Sequence, residues 1–208
     1  MPLAGLIKSD PDHNDDPDVA LMLAFQKGDE EAFVALYNRY RDRLINFARR
    51  LLGDRSLGEE AAQEVFLKLY AARQRYRAKS RFSTYIYRVA KNHCLNVRAR
   101  REWKAIDREQ EADTQPSVQN SPDANAHAVR LRAAINAALT RLPEAQATAV
   151  VLCQYEGMSQ EEAAAVLEVS TSAVKALVFR ARQSLMEILR PFVAELVVKE
   201  KEAHHALP

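Results

Sequence analysis

The segment Ser159–Leu189, SQEEAAAVLEVSTSAVKALVFRARQSLMEIL, decides the fold. Ser159 and Glu162 are spaced as a capping box, in which each side chain satisfies a free backbone amide of the other residue. The pattern predicts a short helix over Gln160–Leu167, a tight connection through Glu168 and Val169, and a second start near Ser170. The second helix is expected from about Thr171 to Leu189, with Val174, Val178, Ala181, Leu185 and Ile188 on its inward face. Small Ala164 lets the two helices cross closely, and Val174 locks the pair. This is helix-turn-helix spacing, in which the first helix braces on a duplex and the second enters its major groove. Ser170, Thr171, Ser172 and Lys175 open the second helix with groups short or cationic enough for bases and phosphates. Arg180 and Arg182, further along, suit the phosphate backbone.

Working upstream, Leu131, Ile135, Ala138, Leu139 and Leu142 predict a helix from about Ala128. Pro143 then starts another that Gly157 ends. Before these lies Glu102–His127, EWKAIDREQEADTQPSVQNSPDANAH, where helical periodicity fails. Its acidic residues Glu102, Asp107, Glu109, Glu111, Asp113 and Asp123 face only Lys104 and Arg108. We read it as a flexible acidic linker.

The first half shows a different helical pattern and no internal repeat. Asp18 is expected to cap a short helix bearing Val19, Met22 and Phe25, which Gly28-Asp29 breaks. Phe33, Leu36, Tyr37, Tyr40, Leu44, Phe47 and Leu51 then recur at steps of three and four, a buried stripe that stops at Gly53-Asp54. A third helix from about Leu57 turns Ala61, Val65, Leu69 and Ala72 inward. A fourth, Phe82 to about Arg100, gathers Phe82, Ile86, Val89, Ala90 and Val97. The expected architecture is all-α, with two small helical domains joined by a flexible linker and the helix-turn-helix in the second. Its parts are a disordered tail 1–17, a domain 18–101, a linker 102–127, a domain 128–190 and a tail 191–208. Pro191 is expected to stop or kink the last helix, leaving Phe192, Val193, Leu196 and Val197 on a short amphipathic one.

Composition agrees with this reading. The 208 residues are 48% hydrophobic with only 5 Gly and 7% aromatics, which favours soluble helical domains. No apolar run approaches the ~18–20 residues that span a bilayer. The opening MPLAGLIKSDPDHNDDPD lacks the apolar core of a signal peptide, so a cytoplasmic protein is expected. Cys94 and Cys153 lie in apolar helical patterns without a CxxC or a histidine partner, and read as reduced packing residues rather than a metal site. The His204-His205 pair reads as a solvated tail.

A net charge of +2 conceals a sharp separation. From Arg73 to Arg101 the cations are Arg73, Arg75, Arg77, Lys79, Arg81, Arg88, Lys91, Arg98, Arg100 and Arg101, and no Asp or Glu interrupts them. A solvated face normally mixes both signs, whereas a segment of one sign suits a polyanion such as nucleic acid. An enzyme acting on DNA would need a carboxylate cluster for metal or an activated nucleophile near these cations. The basic segment holds no carboxylate, and neither GxxxxGK[ST] nor HExxH occurs, so no catalysis, metal or cofactor is expected.

Four blocks in order carry a family resemblance. SQEEAAAVLEVSTSAVKALVFRARQSLMEIL and the preceding TRLPEAQATAVVLCQYEGM resemble the minus-thirty-five reading motif of extracytoplasmic-function (ECF) sigma factors of RNA polymerase. Glu59–Tyr70, EEAAQEVFLKLY, resembles that family's polymerase-clamp segment, and Arg81–Arg101, RFSTYIYRVAKNHCLNVRARR, its minus-ten helix. The resemblance implies that Glu60, Gln63, Glu64 and Phe66 dock on core polymerase, although the residue type of Phe66 suits a core position equally. It implies that Arg77, Lys79, Arg81, Tyr85, Arg88, Lys91 and Asn92 read the minus-ten element, capturing unpaired bases by stacking and charge, with Arg98, Arg100 and Arg101 on duplex phosphates. Ser170, Thr171, Ser172, Lys175, Arg180 and Arg182 would face the minus-thirty-five element. Promoter DNA, core polymerase and an anti-sigma protein are the partners implied, and the linker would thread towards the polymerase active site. Tyr85 stands where the family commonly has Trp, with Tyr76 and Tyr87 keeping an aromatic surface nearby; Ala176 and Leu177 stand where relatives often carry Arg or Ser. The competing reading, a helix-turn-helix regulator without sigma activity, explains the C-terminal half but neither the cationic segment nor EEAAQEVF.

Overall fold

The computed structural model describes residues 15–107 and 124–205, with side-chain surroundings for 15–101 and 129–192. The expectations for the tail 1–14 and for linker residues 108–123 lie outside the described residues. Eight α-helices and no strand occur among the described residues: α1 Pro17–Gln26, α2 Glu30–Leu52, α3 Arg55–Ala72, α4 Phe82–Asp107, α5 Ala124–Thr140, α6 Glu144–Val150, α7 Gln160–Leu167 and α8 Thr171–His205.

The apolar stripe of α2 organises the first half. Leu36, Tyr40, Leu44, Phe47 and Leu51 are buried, and α2 packs on α1, α3 and α4. Val19, Met22 and Phe25 reach it from α1, Ala61, Val65, Phe66 and Leu69 from α3, and Phe82, Ile86, Tyr87, Ala90 and Cys94 from α4. Gly58 makes the α2–α3 crossing possible, since a Cβ there would sit 2.8 Å from the carbonyl oxygen of Ile45. Gly53 ends α2 in the left-handed conformation, with φ +79°.

In the second half, Leu139 and Leu142 meet Ala147, Val150 and Leu152, while Ala163 and Val166 of α7 meet Val174, Val178 and Ala181 of α8. α6 continues into a π-helical turn over Val151–Tyr155, whose wider ring accommodates one extra residue before Gly157 ends the element. The Ser159–Glu162 capping box forms as expected, with Glu162 N donating to Ser159 Oγ at 3.1 Å and Ser159 N to Glu162 Oε2 at 2.9 Å.

Several local expectations are corrected. Asp18 does not cap α1; Asp16 does, while Asp18 lies in the first turn and its carboxylate takes Arg39 and Tyr40 instead. Asp16 also accepts from Phe82 N at 2.9 Å, so one carboxylate holds the starts of both α1 and α4. Pro143 stands at the N-cap of α6, one place before its first turn. α4 runs on to Asp107, and α5 begins at Ala124. α8 passes through Pro191 to His205 rather than stopping. Pro191 and Glu187 are both exposed, so the missing bond between them falls on the solvent side of α8. Cys94 and Cys153 are free thiols, and burial pushes Cys94 up to about 12, which makes it a packing residue with little thiolate character.

Candidate nucleic-acid interface

The basic segment is built on the end of α3, a 3-10 turn over Arg73–Arg75, the following loop and α4. Its loop is pinned from below. The Gln26 side-chain amide donates to the carbonyls of Arg73 at 2.9 Å, Gln74 at 3.3 Å and Tyr76 at 3.1 Å, and Gln74 donates back to the Gln26 carbonyl. Arg73 lies over the Tyr70 ring at 4.5 Å. Thus fixed, the loop leaves Arg77 and Lys79 exposed, and α4 leaves Asn92, Arg100 and Arg101 exposed.

The remaining expected minus-ten residues are less open. Tyr85 is half-buried, its ring edge-on to Tyr76 at 5.1 Å. Tyr76 and Tyr87, expected to extend an aromatic surface, are core residues at 3% and 0% exposure. Tyr87 lies on the inward face of α4 and Tyr76 in the loop before it, and burial pushes the Tyr76 hydroxyl up to about 12. Lys91 is buried at 7%, and Arg81, Arg88 and Arg98 are half-buried.

What covers these cations comes from the other half of the chain. Arg81 Nη1 lies 3.3 Å from Glu162 Oε1. Arg88 Nε is 3.7 Å and Lys91 Nζ 3.9 Å from the two carboxylate oxygens of Glu168. Arg98 Nε is 3.9 Å from Glu144 Oε1. Main-chain carbonyls complete the set: Arg88 donates to Ala165 O at 2.6 Å, Lys91 to Val166 O at 3.3 Å and Arg98 to Thr140 O at 3.4 Å. The carbonyls of Ala165 and Val166 belong to the last turn of α7, where the helix dipole presents its negative end. Beside them, Glu156 takes Arg43 and the Tyr87 hydroxyl, and Arg50 stacks on Tyr155 at 4.1 Å. No sequence signal marked Glu144, Glu156 or Glu168, since each partner lies at least 46 positions away in the chain.

The opening of α8 is unobstructed by comparison. Ser170, Ser172, Lys175, Arg180 and Arg182 are exposed and Thr171 half-buried. Ser170 Oγ accepts from Ala173 N at 3.2 Å and shares a hydrogen bond with Ser172 Oγ at 2.9 Å, so the cap itself orients the two hydroxyls. Leu177 is half-buried and packs against the core, which accounts for an apolar residue at that place.

On the far side of the first half, α2 and α3 form a groove of about 280 Å³, lined by Tyr37, Ile45, Glu59, Gln63 and Phe66. Glu60 and Gln63 stand exposed at this face and Glu64 is half-buried. Phe66 does not protrude as a docking residue would. It is 4% exposed and stacked on Tyr37 at 4.7 Å, so it forms the floor of the groove, where the α3 periodicity places it with Ala62 and Val65. His93 of α4 approaches Lys68 of α3 at 2.8 Å, and burial with the Lys68 charge holds its imidazole below the usual histidine range.

Comparison with known proteins assigns both halves. Residues 36–104 match the Sigma-70 region 2 family and residues 132–185 match the Sigma-70, region 4 family. The RNA polymerase sigma-H factor of Pseudomonas aeruginosa is 32% identical over 187 residues, covering 86% of this chain and 96% of its own length. The ECF RNA polymerase sigma-E factor of Escherichia coli strain K12 is 29% identical over 184 residues, covering 85% and 96%. Among solved structures, CnrH in complex with the cytosolic domain of CnrY superposes with a TM-score of 0.63 at 25% identity, covering 85% of this chain and 99% of that one. The region 2 match spans α2 to α4, the part that a regulator with only a helix-turn-helix leaves unexplained.

Proposed function

The chain belongs to the ECF sigma factors of RNA polymerase, promoter-specificity factors rather than enzymes, and from that we propose how its surfaces divide the work. Residues 18–101 act as the domain that binds core polymerase and the minus-ten element, 128–190 as the domain that reads the minus-thirty-five element, and 102–127 as the connection between them. Glu60, Gln63 and Glu64 grip a basic surface of core polymerase, supported by the Phe66-floored groove beneath them. Arg77, Lys79, Arg88 and Asn92 present charge and hydrogen-bonding groups to the minus-ten strand, with Tyr85 supplying a ring edge for an unstacked base. Arg100 and Arg101 hold duplex phosphates. Ser170, Ser172, Lys175, Arg180 and Arg182 meet the major groove and its backbone, as the open start of α8 allows.

One observation carries this reading. A single chain pairs a segment of cations uninterrupted by carboxylates with an unobstructed recognition helix, and separates both from an acidic outer face on α3. Catalysis stays with the polymerase. The chain works in the cytoplasm, where polymerase is, and an anti-sigma protein is its expected restraint; the similar CnrH was solved in complex with the cytosolic domain of CnrY.

Run-off transcription with purified core polymerase and a genomic promoter library tests the proposal. Specific transcripts are expected only when the chain is added. Arg88→Ala with Asn92→Ala should impair open-complex formation, read by permanganate reactivity, while leaving core binding intact. Loss of core binding in that variant would move those residues to the polymerase interface and sink the division.

A further inference from the structure

We propose that α1 is a splint for strand capture: Gln26 and Asp16, at its two ends, are positioning residues that hold the loop Arg77–Arg81 in the shape that takes up an unpaired base. The inference rests on the reading of that loop as part of the minus-ten surface, and it adds a helix and two residues that the reading leaves out. The segment 73–81, RQRYRAKSR, places a cation at every second position and contains neither Gly nor Pro. Like charges spaced so closely repel one another and spread a free chain, and no proline restricts its backbone. Left to itself the segment would be extended and variable, and a strand that bound it would have to order it. Arg75, Arg77 and Lys79 stand exposed on this segment. Arg75 lies close enough to Tyr85 for its charge to oppose the rise that burial gives the Tyr85 hydroxyl, so a third exposed cation accompanies the ring proposed for the base.

What holds the segment comes from α1. At its entry the Gln26 amide serves the three carbonyls of Arg73, Gln74 and Tyr76, and Gln74 returns a bond to the Gln26 carbonyl at 3.1 Å. At its exit Asp16 accepts from Phe82 N at 2.9 Å while its other oxygen caps α1. The two anchors stand at opposite ends of one ten-residue helix, which Val19, Met22 and Phe25 bury in the core. An aromatic plug backs each anchor: Tyr76 and Phe82 are both buried, with ring centroids 6.5 Å apart. Arg73 serves the anchoring too, lying over the Phe25 ring at 5.8 Å and the Tyr70 ring at 4.5 Å. Between the anchors the bonds are short-range, Lys79 N to Arg77 O at 2.9 Å and Ser80 Oγ to Arg81 O at 3.4 Å. They shape the loop without placing it on the domain, and the placing is done from α1. The ordering that strand binding requires is thereby completed when the domain folds.

The test uses the full chain assembled with core polymerase, on a promoter recovered in the run-off library whose minus-ten non-template strand is left unpaired. Gln26→Met keeps the side-chain length and the helix propensity but has no donor, so the three carbonyls lose their common partner. Trypsin cleavage of the free chain after Arg77 and Lys79 should then quicken at least about tenfold. Affinity for the unpaired template should fall about tenfold, as expected if the pinned loop drops to about one molecule in ten. Core binding should stay at the wild-type value, which reports an intact domain. Gln26→Lys supplies donors again, since an ammonium offers three, and should return both readouts to within about twofold of wild type. Gln26→Met with Ala20→Lys adds the same charge on the exposed side of α1 without a donor at the loop, and should stay as weak as Gln26→Met. A Gln26→Met chain that captures the strand at wild-type affinity overturns the proposal, whether or not trypsin cuts it faster. Loss of core binding in that chain overturns it as well, because Gln26 would then support the whole domain, and so does rescue by Ala20→Lys equal to that by Gln26→Lys. Failure of the underlying DNA reading shows separately and removes the proposal with it: Arg75→Ala with Arg77→Ala and Lys79→Ala would leave strand affinity unchanged in a chain with Gln26 intact.

Discussion

The two surfaces proposed to face DNA are built in opposite ways. The start of α8 is organised by its own residues: Ser170 caps the helix, Ser172 shares its hydroxyl bond, and Lys175 follows one turn on, all exposed. The cationic face of α4 is organised by residues far away in the chain, with Gln26 pinning its loop, Asp16 capping its helix and Glu168 occupying its charges. The first surface is therefore local and ready, and the second is tertiary and conditional. A recognition helix survives as long as its own turn survives, whereas the α4 surface depends on the whole four-helix core beneath it.

Four substitutions would break or sharpen that contrast. Phe47 is fully buried against Tyr87, so Phe47→Ala should cost about 3–5 kcal/mol in chemical denaturation and remove minus-ten function with it. Minus-thirty-five binding retained in that background would support independent halves, and its loss would show that the C-terminal half leans on the first. Gly58→Ala forces a Cβ to 2.8 Å from the Ile45 carbonyl, and a loss of about 1–3 kcal/mol with a lower Tm is expected. An unchanged Tm would mean that the α2–α3 crossing is looser than it stands here. Ser159→Ala removes one half of the capping box and should cost about 1 kcal/mol, confined to amide exchange in α7 and α8. Spread of that exchange into α4 would tie the two surfaces together. Lys175→Ala should leave stability alone and lower the salt dependence of duplex binding by about one phosphate contact. An unaltered slope would take Lys175 off the DNA.

The same contrast explains what was legible in the sequence. The α2 stripe, the capping box, the short α7 and the start of α8 are periodic or local features, and each appears where its spacing predicts. Aromatic side chains on α4 were harder to place. Tyr87 and Tyr85 are two positions apart, yet one is fully buried and the other half-buried, because the helix lies between two layers rather than at one boundary. Phe66 shows the converse: the core claims a residue that family likeness assigned to the surface. The pairing of Arg88 and Lys91 with Glu168 spans about 80 positions, and no periodicity reports a contact of that range. Asp16 caps α1 in place of Asp18 because both are plausible caps by type, and the helix start at Pro17, with Asp18 N donating to Asp16, decides between them.

The wide turn at Val151–Tyr155 fixes a phase for everything after it. Each residue of an α-helix advances the chain by about 100°. Closing the turn to an ordinary one, by deleting a single residue, would swing Tyr155 and Glu156 about a quarter-turn away from Arg50, Arg43 and Tyr87. The rotational register of the whole C-terminal half on the first half is thus written in one surplus residue, so insertions and deletions there act as a gear change that no single side-chain substitution can imitate.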